Sequence, residues 1–147
     1  MRLNRLFVTL ILFGELLFNQ GCRYGTLQIQ YIFPDGFKGP AVIRVNQNGG
    51  IPACDVPWLP RTQLCVLQFP SSGVLNIQDG SPGEQWHRAS ARYTNGSVIP
   101  VPDAASGVTV SKNEIALWAI GSVQNGEDWL FVGTEDEFRK FRDEKHK

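Results

Sequence analysis

Glycine, proline, asparagine and aspartate cluster at short intervals from residue 34 onwards, and this spacing restricts most of the chain to short extended segments. The stretches between the clusters are rich in β-branched and aromatic residues, and several alternate apolar and polar side chains. Strands are predicted at 27–33, 41–45, 64–69, 74–78, 86–94, 97–101, 115–123 and 129–132. This spacing predicts an all-β fold, either a small antiparallel β-sandwich or a partly open barrel.

Two turns define the ends of predicted strands. Pro34-Asp35-Gly36 follows the first strand; proline is expected at the first central position of the turn, and Gly36 at a positive φ. Asn95-Gly96 is the strongest hairpin signal in the chain and predicts pairing of the strands on either side. Pro100 places the second of these strands at the edge of a sheet, because proline cannot donate to the strand ladder.

The C-terminal segment predicts a single helix from Glu135 to about Lys145. Thr134 and Glu137 have the spacing of a capping box, and acidic residues precede basic ones, as the helix dipole favours. Phe138 and Phe141 form a narrow apolar edge that predicts docking against the β-domain. The i,i+4 ion pairs expected on this helix are Glu135 with Arg139 and Asp136 with Lys140.

The N-terminus has the form of an export signal. Arg2 and Arg5 precede an apolar run, Leu6–Phe18, that is too short to span a bilayer as a permanent helix. Gly21-Cys22 follows, and it looks like the processing site of bacterial lipoproteins. Residues 1–21 are therefore predicted to be a lipoprotein-type signal peptide, with Cys22 as the lipidated mature N-terminus and 23–147 as one extracytoplasmic domain.

Two residues in this signal leave alternatives open. Glu15 interrupts the apolar run, and Asn19 stands where lipoprotein signals usually carry leucine. Asn19 also fits poorly before an ordinary small-residue cleavage site. The alternatives are ordinary cleavage, which would give a secreted or periplasmic soluble protein, and an uncleaved anchor with a short span.

The chain contains three cysteines, Cys22, Cys54 and Cys65. If Cys22 carries lipid, Cys54 and Cys65 are left as a pair in an oxidising compartment, and a disulfide between them is predicted. The alternative is two unpaired thiols, one of them buried in a strand. A metal site is disfavoured because no histidine lies near either cysteine, and no cofactor of any kind is expected.

Charge argues against a nucleic-acid partner. The chain has 14 basic and 14 acidic residues, and removal of the signal takes away two basic residues and one acidic residue, leaving a net charge of −1. No basic cluster with interleaved aromatic residues is present, and nucleic-acid binders of this size usually carry one.

The sequence does not predict an enzyme. It has no hydrolase elbow, zinc-protease motif, phosphate-binding loop or dinucleotide fingerprint. The alternative function is a small secreted hydrolase that uses His87, or Asp79 and Glu84 as a carboxylate pair. His87 has a simpler interpretation as a surface or packing residue, and the two acids as ordinary residues of a Gly/Pro-rich loop.

Trp58 is the aromatic residue for which partner contact is considered. It lies between Pro57 and Pro60 in the loop that the predicted disulfide would close, and a rigid loop presenting tryptophan is suited to contact a protein partner or a glycan. The alternative is a tryptophan that folds back over the core. The other tryptophans are expected to pack within the domain.

Three segments carry a resemblance to bacterial envelope domains of unknown function. They are Ile32–Pro40, Phe69–Leu75, and Phe131–Thr134 with the following Glu137, Phe138 and Phe141. The resemblance spans about residues 27–142, and in that family the first segment is a turn between two strands. Similar turns occur in transthyretin-like and other small sandwiches. The resemblance implies no activity or catalytic residues, and the Cys54/Cys65 loop is not part of it.

The function predicted from the sequence is a lipid-anchored binding or structural module of the bacterial envelope. Its expected partners are the membrane, through the lipid on Cys22, and an envelope protein or glycan.

Overall fold

The computed structural model describes residues 27–52, 63–78, 87–102, 107–120 and 125–145, without the side chains of Gln63 and His87. These residues form eight strands and one C-terminal helix. The strands are β1 (Leu27–Phe33), β2 (Gly39–Arg44), β3 (Gln63–Gln68), β4 (Val74–Asn76), β5 (His87–Tyr93), β6 (Val98–Ile99), β7 (Ala116–Ala119) and β8 (Glu127–Gly133), and the helix is α1 (Glu135–Lys145).

The strands form two four-stranded sheets and not a closed barrel. Sheet A has the order β3-β1-β5-β6, and sheet B has the order β4-β2-β8-β7. The predominantly β architecture with one C-terminal helix is confirmed, and all eight predicted strands correspond to observed ones.

The prediction of an antiparallel arrangement is only partly confirmed, because both sheets are mixed. β1 pairs in parallel with β3 and β5, and β2 pairs in parallel with β4. The remaining pairs, β2–β8, β5–β6 and β7–β8, are antiparallel. The cause is that consecutive strands from β1 to β5 alternate between the two sheets. Strands that share a sheet are therefore every second strand of the chain, and these run in the same direction.

One hydrophobic core lies between the sheets. Alternate residues of β1 enter it (Ile29, Tyr31 and Phe33), and so do Ala41 and Ile43 of β2. The other strands contribute Cys65, Leu67, Leu75, Ala91, Ile99, Leu117, Leu130 and Val132 to this core. Within β3 and β8 the core residues are again alternate residues of the strand. Because side chains alternate between the faces of a strand, this one shared core leaves each sheet with an outer face.

Helix α1 covers the outer face of sheet B. Phe138 stacks on Trp118 with ring centroids 5.3 Å apart, and Phe141 stacks on Phe131 at 5.2 Å. The Lys145 ammonium lies 3.3 Å from the centre of the Trp129 ring, a cation–π contact. The predicted apolar edge of the helix is therefore confirmed.

The ends and ion pairs of α1 follow the sequence with one exception. The capping box is present: the Thr134 N–H donates to the Glu137 carboxylate at 2.8 Å, and the Glu137 N–H donates to the Thr134 hydroxyl at 3.4 Å. Arg139 pairs with Glu135 as predicted. The expected partner of Asp136 was Lys140, but Asp136 lies 3.5 Å from Lys112 instead, because the segment before β7 reaches the first turn of the helix.

The turn after β1 has glycine where it was predicted but proline one position earlier. Gly36 has a φ of +72°, as expected. The Phe37 N–H donates to the Pro34 carbonyl at 3.0 Å, so Pro34 is the first residue of the turn and Asp35 and Gly36 are its central residues. The hairpin across Asn95-Gly96 is also present and joins β5 to β6.

Candidate functional site

Most site residues predicted from the sequence lie outside the described residues. This applies to Cys22, Cys54, Trp58, Asp79 and Glu84. Lipidation, the disulfide, the tryptophan contact and the carboxylate pair therefore stay predictions.

Two of the predicted site residues lie on described strands. His87 begins β5, where its backbone is in register with Leu27, and its side chain is outside the described part of the chain. Cys65 lies in β3 on the core side of sheet A and is 1% exposed.

The three segments of the family resemblance meet at one end of the molecule, here called the turn end (residues 34–39, 70–73 and 94–97). An added Cβ at Gly73 would lie 2.9 Å from the Phe37 ring, and the Tyr93 hydroxyl donates to the Phe37 carbonyl at 3.2 Å. Phe33 stacks on Phe37 at 5.3 Å and on Phe69 at 4.7 Å. These residues therefore hold turns together by packing and do not line a reactive site.

The third segment joins the same end through sheet B. Gly39 is in register with Val132, and Pro40 with Phe131, so the end of β8 lies beside the start of β2. A structural role accounts for all three segments.

The tryptophans under α1 are also structural. The Trp118 indole N–H donates to the Gly133 carbonyl at 2.9 Å, and the Trp129 indole N–H donates to the Glu127 carboxylate at 3.1 Å. Both rings contact the helix. With their N–H groups bonded and their rings covered, these side chains are not presented to a ligand.

A titratable pair lies in the core between the sheets. Asp128 is 8% exposed and Tyr31 is 4% exposed. Burial, and then the charge of Asp128, raise the pKa of the Tyr31 hydroxyl above its ordinary value. The neighbours of the pair are core side chains such as Ile29 and Leu130, so this position does not suit contact with a substrate.

The remaining candidate is the outer face of sheet A, here called the open face. Its residues project away from the core in three registered rows. The rows are Leu64–Gln28–Arg88, Val66–Gln30–Ser90 and Gln68–Ile32–Arg92–Val98.

The open face presents apolar side chains to solvent. Leu64 is 58% exposed, Val66 is 47% exposed and Val98 is 78% exposed. Leu64 and Val66 are neighbours on the outer side of β3, whereas Val98 lies on β6 at the opposite edge of sheet A. A surface that keeps neighbouring large apolar side chains in water, beside polar ones, is typical of a contact site.

The open face is positively charged. Arg88 and Arg92 are its charged residues, and the strands of sheet A contain no aspartate or glutamate. The Arg92 Nε atom is shielded from solvent and has no hydrogen-bond partner within the described residues. Alternation along β5, which the sequence itself displays, places Arg88, Ser90 and Arg92 on the same side of the strand. The exposure of Leu64 and Val66 has no such signal, because Leu64–Leu67 is apolar throughout.

The described ranges contain no group of three or more His, Cys, Asp and Glu side chains placed to hold a metal ion. None of the helices in this part of the chain is long and apolar enough to cross a membrane.

Comparison with known proteins gives little similarity. The chain matches no protein-family model and no curated protein sequence. A crystal structure of a candidate lipoprotein from Bacillus anthracis is similar over 78% of this chain and 75% of that chain, with 11% sequence identity and a TM-score of 0.40. Similarity at this level transfers neither fold nor function, so membership of an envelope family stays a prediction from the sequence.

Proposed function

We propose that the protein is a non-enzymatic binding module of the bacterial envelope, anchored to the membrane through a lipid on Cys22 and contacting its partner with the open face. The binding role is supported by a difference between the two sheets in how far their outer faces are exposed to solvent. Sheet B is covered by α1, with Phe138 only 9% exposed, whereas sheet A leaves Leu64 and Val66 about half exposed.

The energetic argument is that exposed apolar area disfavours the free protein in water. Burial of apolar surface contributes roughly 25 cal/mol for each Å² removed from water, so a partner covering Leu64, Val66 and Val98 gains that contribution. A purely structural spacer does not need an exposed apolar face. Covering an apolar sheet face with a helix, as α1 covers sheet B, is the usual way to remove that face from water.

The anchor is supported by the sequence of residues 1–22. Two acyl chains on Cys22 would give stable attachment, which a single chain does not. Cys22→Ala is expected to move the protein from the membrane fraction to the soluble fraction or to block its processing. Intact-mass measurement of the native protein reports cleavage and lipid together, and an unmodified, uncleaved chain at the membrane would contradict the proposal.

The binding role is tested in cells with a photo-crosslinking residue at position 66 of the open face and, as a control, at position 140 on the exposed side of α1. Crosslinks that form from position 66 and not from position 140 support the proposal. Equal crosslinking from both positions would show nonspecific contact, and no crosslink from either position would leave the open face without a partner; either result contradicts it.

A further inference from the structure

We propose that the open face binds an acidic polypeptide segment in extended conformation. Arg88 and Arg92 receive its carboxylates, and Leu64 and Val66 receive its apolar side chains. This inference rests on the proposed binding role and specifies the chemistry of the partner.

The described arginines differ in whether they form an ion pair with a carboxylate. Outside sheet A, each described arginine pairs with a carboxylate: Arg44 with Glu127, Arg139 with Glu135, and Arg142 with Asp143. Among the described residues, Arg88 and Arg92 form no ion pair. Within the described residues, the arginines without a carboxylate partner are therefore the two of the open face.

The described residues of the open face include no acid that would compete for the arginines. β1, β3, β5 and β6 contain neither aspartate nor glutamate. The neighbouring acid at the turn end, Asp35, accepts hydrogen bonds from Thr94 and Asn95. The open face is therefore complementary to negative charge, although the whole chain has equal numbers of basic and acidic residues.

The distance between Arg88 and Arg92 fits a peptide in extended conformation. Arg88 and Arg92 lie four positions apart on one strand and therefore about 13 Å apart along it. An extended peptide has the same rise per residue, so acidic side chains four positions apart on its facing side come into register with both guanidinium groups. Gln28 and Gln30 of β1 lie between this arginine column and the apolar column of β3, where they can bond to polar groups of the peptide.

The number of arginines on the open face favours a polypeptide over other negatively charged partners. Lipid headgroups and nucleic acids also carry negative charge, but recognition of anionic membranes usually takes about four to eight clustered basic residues. The open face has two arginines, and each can bind one carboxylate through two parallel hydrogen bonds. Two discrete carboxylates on a polypeptide match that number, and an extended anionic surface does not.

The test uses the processed, full-length protein reconstituted in phosphatidylcholine nanodiscs. Two fluorescently labelled peptides, each as long as β1, serve as probes: one has glutamate at positions 1 and 5, valine at positions 3 and 7 and serine elsewhere, so that both residue types share one face, and the other has lysine in place of each glutamate. Fluorescence anisotropy is expected to show binding of the glutamate peptide, with weakening at higher salt, and no binding of the lysine peptide.

The variants separate the two columns of the open face. Combined Arg88→Gln and Arg92→Gln is expected to weaken binding at least about tenfold, and Val66→Ser is expected to weaken it by a smaller factor. Arg88→Gln alone, at an exposed position, keeps the test decisive if the double variant is poorly folded. The matched controls are Lys140→Gln on α1 and Ile51→Ser, an exposed residue that pairs with Ile77 just after β4 of sheet B, and each is expected to bind like the parent.

Three outcomes overturn the inference. They are equal binding of both peptides, binding that the arginine substitutions leave unchanged, and arginine-dependent binding to vesicles of phosphatidylserine and phosphatidylcholine with none to the glutamate peptide. The last result would identify an anionic membrane as the ligand. Crosslinks from position 66 in cells without binding of the glutamate peptide would preserve the binding role and refute the acidic partner, whereas failure of both experiments would refute the two together.

Discussion

Asp35 and Thr94 are 59 positions apart in the chain, and the Thr94 hydroxyl donates a 2.6 Å hydrogen bond to the Asp35 carboxylate. The same carboxylate oxygen accepts the Asn95 N–H at 2.7 Å. Asp35 lies in the turn between β1 and β2, and Thr94 in the turn between β5 and β6. One side chain therefore connects a turn that crosses between the sheets with a hairpin turn of sheet A.

This connection predicts a nonadditive effect on stability. Asp35→Ala is expected to lower the free energy of unfolding by about 1–2 kcal/mol, and Thr94→Val by about 1 kcal/mol, because both bonds are exposed to solvent. In the Asp35→Ala background Thr94→Val is expected to cost much less, since the bond is already lost. Urea denaturation of the four proteins measures this, and additive losses would show that the two residues act independently.

Gly36 and Gly73 form a matched pair for separating backbone strain from packing. Their φ angles are +72° and +71°, but an added Cβ meets no atom within 4 Å at Gly36, whereas at Gly73 it meets Phe37 and the Pro40 carbonyl at 2.9 Å. Gly36→Ala is expected to lower the free energy of unfolding by about 1 kcal/mol, from strain alone. Gly73→Ala is expected to cost about 1–3 kcal/mol more. Equal losses in urea denaturation would show that the neighbours of Gly73 move aside freely.

The capping box predicts a dependence of stability on acid. Hydrogen bonds from the Thr134 backbone and then from its hydroxyl lower the pKa of Glu137 below its ordinary value. The resulting stability is present above the carboxyl pKa of the unfolded chain, about 4.3, and is lost as the pH falls through the lower folded value. Glu137→Gln is therefore expected to reduce the fall in melting temperature between about pH 6 and about pH 3. Glu144→Gln, in the last turn of α1, is the control, and an effect as large as that of Glu137→Gln would contradict the assignment.

Tyr31 predicts the opposite dependence in alkali. Burial, and secondarily Asp128, raise the pKa of its hydroxyl. The stability that this provides is fully present below the pKa of an unfolded tyrosine, about 10, and is lost as the pH rises above it. Tyr31→Phe is expected to weaken this alkaline loss, measured by urea denaturation at pH values on both sides of about 10. Tyr93→Phe, at a half-buried position, is the comparison, and it is expected to have the smaller effect.

The predicted Cys54–Cys65 disulfide can be tested chemically. Alkylation of the denatured, unreduced protein is expected to modify neither cysteine, and reduction beforehand is expected to expose both. Loss of the bond in Cys54→Ser is expected to lower the free energy of unfolding by about 3 kcal/mol, the usual effect of closing a loop of this size. Cys54 is the better position for substitution because Cys65 is 1% exposed and its replacement would also disturb the core. Alkylation of both cysteines without reduction would exclude the disulfide.

The sequence predicts local structure in this protein better than it predicts strand partners. The range of β1 and the start of α1 follow from alternation, turn residues and the capping box, all of which act between near neighbours. The direction of pairing depends on which sheet each strand enters, and the Pro34–Phe37 turn could serve a hairpin or a crossing between sheets. A crossing here makes β1 and β3 parallel, and turn chemistry alone does not distinguish the two.

Part of the open face can likewise be predicted from the sequence, because alternation along a strand is also a pattern between near neighbours. The alternation of β5 separated Arg88 and Arg92 from Ala91 and thus placed both arginines on one face. No comparable signal exists in β3, because Leu64, Cys65, Val66 and Leu67 are all apolar, as in a strand buried on both faces. Leu64 and Val66 are exposed because α1, the helix among the described residues, packs on sheet B and not on sheet A, and that choice depends on contacts between distant parts of the chain.

A lipid on Cys22 would attach the molecule to a membrane at the end where β1, β3 and β5 all start. All three strands start at the end where Leu27 lies, and the turn end is at their other end. Cys22 precedes Leu27 by five positions, so a lipid on Cys22 would hold the start of β1 within about 18 Å of the bilayer surface. In a protein anchored this way the turn end points outward. The open face then extends along the side of the upright domain, where a neighbouring protein in the same membrane can reach it.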